Sequence, residues 1–217
     1  RLESSNTVES IAENTDADYV MICTKTTPIR WGLYALERFL RTADDTGAVM
    51  VYSDYYSLIK EDKEIAKVGG KEEKDGAETQ KDGAETHEAK VEGAETHELK
   101  AEQEAKTGKL IKHPVIDYQS GSLRDDFDFG SLWFIKAQAL RDFIAQQDRA
   151  DYQYAGLYNL RLYLSRVGEI FHLNEFLYTE DELDNRKSGE KQFDYVNPRN
   201  REVQIEMEKA CTQHLNK

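Results

Sequence analysis

Between Tyr56 and Tyr118 the chain contains no Phe, Trp or Tyr, and that gap sets the terms on which its 217 residues can fold. Within it run KDGAETQ (74–80), KDGAETHEAK (81–90) and VEGAETHELK (91–100), which decay into AEQEAK. From 71 to 106 there are 12 acids and 6 lysines, a net of −6 in a chain that totals −13. Such a composition buries too little apolar surface to offset the entropy of ordering the chain. Units of 7 and 10 residues are also too short to stack as a solenoid. The expectation is a single domain over 1–217 interrupted at 62–110 by an acidic low-complexity insertion, disordered or loosely helical. His87 and His97, each in a Thr-His-Glu triplet, lack the cysteines or fixed geometry that a metal site needs.

The flanks alternate. YVMIC (19–23) is a short continuous apolar run suited to a central strand of a covered sheet. Thr27-Pro28 supplies an N-cap and a proline at the first helical position, so a helix is predicted there, with Trp31, Ala35, Leu36, Phe39, Leu40 and Ala43 on its inner face and Gly47 at its end. AVMVY (48–52) reads as the next strand, GSLWFI (130–135) as another, and Lys136 to Gln147 as a helix. A helix from Ala155 to Val167 precedes the strand EIFHL (169–173). Asn197-Pro198 opens a last helix striped by Val203, Met207, Ala210, Cys211 and Leu215. This alternation predicts an α/β fold with a mixed, mostly parallel sheet flanked by helices.

Acids outnumber bases 42 to 29, which disfavours a nucleic-acid partner. No run of about 18 apolar residues spans a bilayer, and no basic-then-apolar leader opens the chain. Cys23 and Cys211 have no CxxC spacing and suggest reduced, small core residues, so a cytoplasmic protein is expected. The first residue is Arg1, which suggests a piece of a longer chain.

Three clusters carry candidate chemistry. Ligands of α/β sheets bind beyond the carboxyl ends of strands, which directs attention to Thr24-Lys25-Thr26-Thr27 and to Asp54 after AVMVY. In RDDFDFG, Asp126 and Asp128 would share one face of an extended chain and could hold a cation or accept hydroxyls, next to Arg124. Arg186, Lys187 and Ser188, beside a glycine, suit an anion such as phosphate. For each cluster the plainer alternative is a turn, a cap or a solvated loop. No GxSxG, P-loop, GxGxxG or HExxH motif is present.

DADYVMICTKTTPIRWGLYALERFL resembles the segment of a family 2 glycosyltransferase of GT-A fold in which a buried strand ends in an Asp-x-Asp motif and a helix follows. GSLWFIKAQAL resembles that family's strand and helix after the acceptor loop, and YAGLYNLRLYLSRVGEIFHLNEFLYTEDELDNRKS its Glu-Asp helix, next strand and closing basic loop. The likeness covers roughly residues 5–60 and 113–195. It implies a GT-A-like, Rossmann-like fold lacking the first nucleotide-binding strands, and a degenerate N-terminal domain of a longer, Bacteroides-type bacterial glycosyltransferase with a second glycosyltransferase domain. Thr24-Lys25-Thr26 stands where the metal-binding Asp-x-Asp falls, and Tyr154-Ala155 where the base does. The resemblance implies a nucleotide-sugar donor, a glycan or glycolipid acceptor and a Mn2+ or Mg2+ ion. Lys25 is then a metal-free phosphate contact; Asp54, Asp126 and Asp128 are the candidate carboxylates to deprotonate an acceptor hydroxyl, Asp126 and Asp128 foremost. The alternative is a non-catalytic module that binds an acceptor glycan or the neighbouring catalytic domain.

Overall fold

The computed structural model describes residues 3–60, 108–146, 149–181 and 201–217. Most of the 62–110 insertion lies outside them, as do Arg186, Lys187, Ser188 and Asn197-Pro198. Residues 108–110, placed in the insertion by composition, instead begin a strand.

The elements are α1 (Ser5–Glu13), β1 (Tyr19–Cys23), β2 (Ile29–Trp31), α2 (Ala35–Thr46), β3 (Met50–Lys60), β4 (Gly108–His113), β5 (Leu132–Lys136), α3 (Ala137–Ile144), α4 (Gly156–Val167), β6 (Ile170–Asp181) and α5 (Arg201–Leu215). The six strands form one sheet in the order β1-β5-β3-β6-β2, with β4 paired to β3 as well. The protein is α/β with a mixed sheet and flanking helices, but the expectation of a mostly parallel sheet is wrong. Only β3 and β6 pair in parallel; the β1/β5, β2/β6, β3/β4 and β3/β5 pairings are antiparallel. Strand-helix alternation does give β1 and β3 a common direction, yet β5 inserts between them, and sequence order cannot announce an insertion from 80 residues downstream.

The centre of the sheet is β3, where Met50, Val51 and Tyr52 are fully buried, rather than β1, which lies at an edge and fully buries only Ile22. A short apolar run does not distinguish an edge strand with one covered face from a central one. Residues 29–31, predicted as helix, instead pair with Tyr178 to Glu180 of β6. The helix starts after Gly32, whose amide donates to the Leu177 carbonyl at 2.8 Å. Its buried face is therefore Ala35, Phe39, Thr42 and Ala43, and Trp31, Leu36 and Leu40 are exposed. Gly47 ends it as expected, with φ of 70° in the left-handed region that glycine occupies without steric cost.

The main core is built from β3, β5 and β6 with Phe39, Leu140, Phe143, Leu160 and Leu164 from the helices. A smaller cluster, Tyr152, Ala155, Tyr158, Leu162 and Ala210, docks α5 on α4. Of the stripe read on α5, Ala210 is buried, Met207 and Cys211 pack beside it, and Leu215 is exposed. The helix α1, which no sequence pattern announced, is capped by the Ser4 hydroxyl accepting from the Thr7 amide. Among the described residues no helix is long and apolar enough to cross a membrane.

Candidate functional site

The carboxyl end of β1 carries Thr24 and Lys25 toward the start of β5 and the end of β6. The Thr24 amide donates to the Ser131 carbonyl at 2.8 Å, which fixes the loop. The Lys25 ammonium pairs with the Glu180 carboxylate, which is 1% exposed and also accepts from the Ser131 hydroxyl. The phosphate contact expected of Lys25 is thus already neutralised by a buried acid. The ammonium also lies 5.6 Å from the ring centroid of Tyr55, which stacks on His113 at 4.4 Å and on Tyr178 at 5.4 Å.

His113 Nε2 meets Asp128 Oδ2 at 2.9 Å, and the other oxygen of Asp128 accepts from the Gly130 amide at 2.8 Å. Burial alone would raise the Asp128 pKa. The His113 and Gly130 hydrogen bonds, with the charges of His113 and Lys25, outweigh it and hold the carboxyl below its usual range. The hydrogen bond to Asp128 raises the pKa of His113, against the effect of burial. Gly130 takes φ of 68°, and the turn it makes brings the Tyr178 hydroxyl to the Ser131 amide at 2.7 Å.

Beside this cluster opens a cleft of about 240 Å³. Thr24, Asp128 and Gly130 line one side of it, and Tyr154, Leu157 and Tyr158 from the start of α4 line another. Phe127, Phe129 and Trp133 add aromatic walls, Phe127 and Phe129 lying 4.4 Å apart and Phe129 and Trp133 5.4 Å. The Trp133 indole N–H is buried without a hydrogen-bond partner, although a buried donor ordinarily has one.

Arg161 also lines the cleft and is 2% exposed. Its guanidinium donates to neutral oxygens, the Ser122 carbonyl at 2.6 Å, the Arg124 carbonyl at 2.5 Å and the Tyr118 hydroxyl at 3.3 Å, and so clasps the chain that leads into the acidic loop. Glu206 of α5 closes the far end. Its carboxylate accepts from the amides of Tyr154 and Ala155 at 2.7 and 3.2 Å, where the positive end of the α4 dipole favours an anion.

The other carboxylates expected to act have structural partners. Asp54 does not follow its strand but sits within β3, at a bulge, buried, accepting from the Val115 amide and from His172 Nε2, both at 2.9 Å. Asp117 holds the second nitrogen of that ring at 2.7 Å. Asp126 forms a two-point ion pair with Arg124 at 3.0 and 3.1 Å, exposed on both sides, which lowers the Asp126 pKa. Asp126 and Asp128, read as sharing a face, therefore have different partners. Among the described residues no group of three or more His, Cys, Asp or Glu side chains is disposed to hold a metal ion.

Lys25 and Asp128 were expected at a site and do meet at one. His113, Glu180, Trp133, Tyr158 and Arg161 were not singled out. Arg161 carries a faint signal, a charge on the inner side of an otherwise apolar helix stripe; the others are spread over 68 residues and meet only in three dimensions. No protein-family model matches the chain, and no curated protein matches it either.

Proposed function

We propose that this chain is a glycosyltransferase-like module whose cleft binds the sugar acceptor, and that it does not by itself turn over a nucleotide-sugar. One observation carries the reading: Thr24 and Tyr154, the two positions at which the family likeness expects metal-binding and base carboxylates, lie 130 residues apart and line the same aromatic-walled cleft. Aromatic faces beside hydrogen-bonding side chains suit a sugar ring, which is apolar on its faces and polar at its edge. The charges argue against a diphosphate there. Glu3, Asp125 and Asp128 line the cleft against one guanidinium, and the nearby Lys25 is engaged by Glu180.

The catalytic alternative draws on Asp128, a carboxylate at the cleft that is held ionised at neutral pH. Its oxygens already accept from His113 and Gly130, which weakens it as a base.

Titration calorimetry of the chain against neutral oligosaccharides, and against UDP, GDP and their sugars with and without manganese, separates the two. Oligosaccharide binding weakened by Trp133→Phe, with no nucleotide binding, is the expected result. Manganese-dependent turnover of a nucleotide-sugar, lost in Asp128→Asn, would refute the proposal and restore the enzyme.

A further inference from the structure

The charge of the cleft and its unpaired donor bear on which sugar it takes. Asp125 and Asp128 are exposed carboxylates of one short loop, and Glu3 approaches from the chain that enters α1. Arg161 offsets one of the three acids, but its donors are turned toward Ser122, Arg124 and Tyr118, and its guanidinium lies 4.8 Å from the Tyr158 ring centroid. The net field at the lining is therefore negative, in a protein that is itself strongly acidic.

The walls carry the same sign. Phe127, Phe129 and Trp133 present π faces, whose quadrupoles attract cations. The Trp133 N–H makes the opposite demand, since it lacks an acceptor within the protein. A ligand that satisfies both carries a positive charge and an uncharged oxygen acceptor on one small, flat-faced ring.

We infer that the cleft selects an amino sugar whose amino group is free and protonated, a hexosamine rather than its N-acylated or hydroxyl counterpart. The ammonium lies among Asp125, Asp128 and the aromatic faces, and a ring or hydroxyl oxygen accepts from Trp133. Acylation removes the charge and lengthens the group, so N-acetylhexosamine loses the ion pairing and meets the walls. This inference rests on the acceptor-binding reading above.

The test compares trimers of glucosamine, N-acetylglucosamine and glucose, in the same linkage, by calorimetry with the full chain below the ammonium pKa. The glucosamine trimer is expected to bind about 10-fold more tightly than the glucose trimer. Asp125→Asn, at an exposed position, should remove most of that preference, and Trp133→Phe should weaken all the trimers that bind. Equal affinity for the three trimers would overturn the selection of an ammonium while leaving acceptor binding intact. Binding of none would overturn both. A preference unchanged in Asp125→Asn and in Asp128→Asn would mean that the amino sugar binds the acidic chain elsewhere, and would also overturn the inference.

Discussion

Gly156 at the first position of α4 offers a perturbation for which helix propensity and packing predict opposite signs. In a helix, Gly→Ala favours folding by up to about 1 kcal/mol. Here, a Cβ would sit 2.5 Å from the Ser4 carbonyl carbon and 2.6 Å from the Glu3 oxygen, with the Ser5 amide nitrogen nearer still. Carbon contacts are comfortable at about 3.5–4.0 Å, so the start of α1 must withdraw by about 1 Å. Four hydrogen bonds hold that junction: Gly156 and Leu157 amides to Glu3 O at 2.7 and 3.3 Å, the Ser5 amide to Tyr152 O at 2.8 Å, and the Tyr152 amide to Ser5 Oγ at 3.0 Å.

Losing two of them costs about 2 kcal/mol. Residual overpacking against backbone adds about 1 kcal/mol, because backbone cannot rotate away as a side chain does. Set against the propensity gain, Gly156→Ala should destabilise the protein by about 2 kcal/mol. Urea unfolding would show this as a midpoint about 1 M lower for a slope near 2 kcal/mol/M. Hydrogen exchange should localise the loss to the amides of Ser5 and residue 156. A variant as stable as the parent, or more so, would refute the reasoning, because it would mean that α1 does not lie against that glycine.

Lys25→Met should cost about 2–4 kcal/mol in urea unfolding, because it leaves the buried Glu180 carboxylate without its counter-charge, and adding Glu180→Gln should restore most of the loss; a cost below about 0.5 kcal/mol would show the pair to be incidental. Asp126→Asn, which breaks an exposed pair with Arg124, should change stability by less than about 0.5 kcal/mol and leave oligosaccharide affinity unchanged. The His113–Asp128 pair should give a pH-dependent contribution of at most about 1 kcal/mol, since both side chains are half exposed. The raised His113 pKa makes its share complete below the ordinary value of 6.5 and lost as pH rises through the higher folded value. The lowered Asp128 pKa makes its share complete above the ordinary 3.8 and lost as pH falls through the lower folded value. Stability measured from pH 3 to 9 should therefore differ most between the parent and His113→Asn from about pH 4 to 6.5, and a constant difference across that range would contradict the pairing.

The sequence by itself determined the elements whose signal is local. YVMIC, LWFIK and the apolar stripe of 156–167 became strand, strand and helix nearly at the predicted bounds, because side-chain periodicity and a terminating glycine act within one element. It also marked the start of the repeat and placed Lys25 and Asp128 near a site. Only the tertiary structure decided that β5 enters between β1 and β3, which makes the sheet mainly antiparallel, and that Ile29 to Trp31 pair with β6 instead of starting a helix. Those outcomes depend on partners more than 100 residues away, whose hydrogen bonds outweigh a local preference of a fraction of a kcal/mol per residue. The same reason governs the cleft. Lys25 is a free cation in the sequence and half of an ion pair in the fold, because Glu180 reaches it only once β6 has docked. The ring of Trp133 becomes a cleft wall only when α4 brings Tyr154 and Tyr158 opposite it.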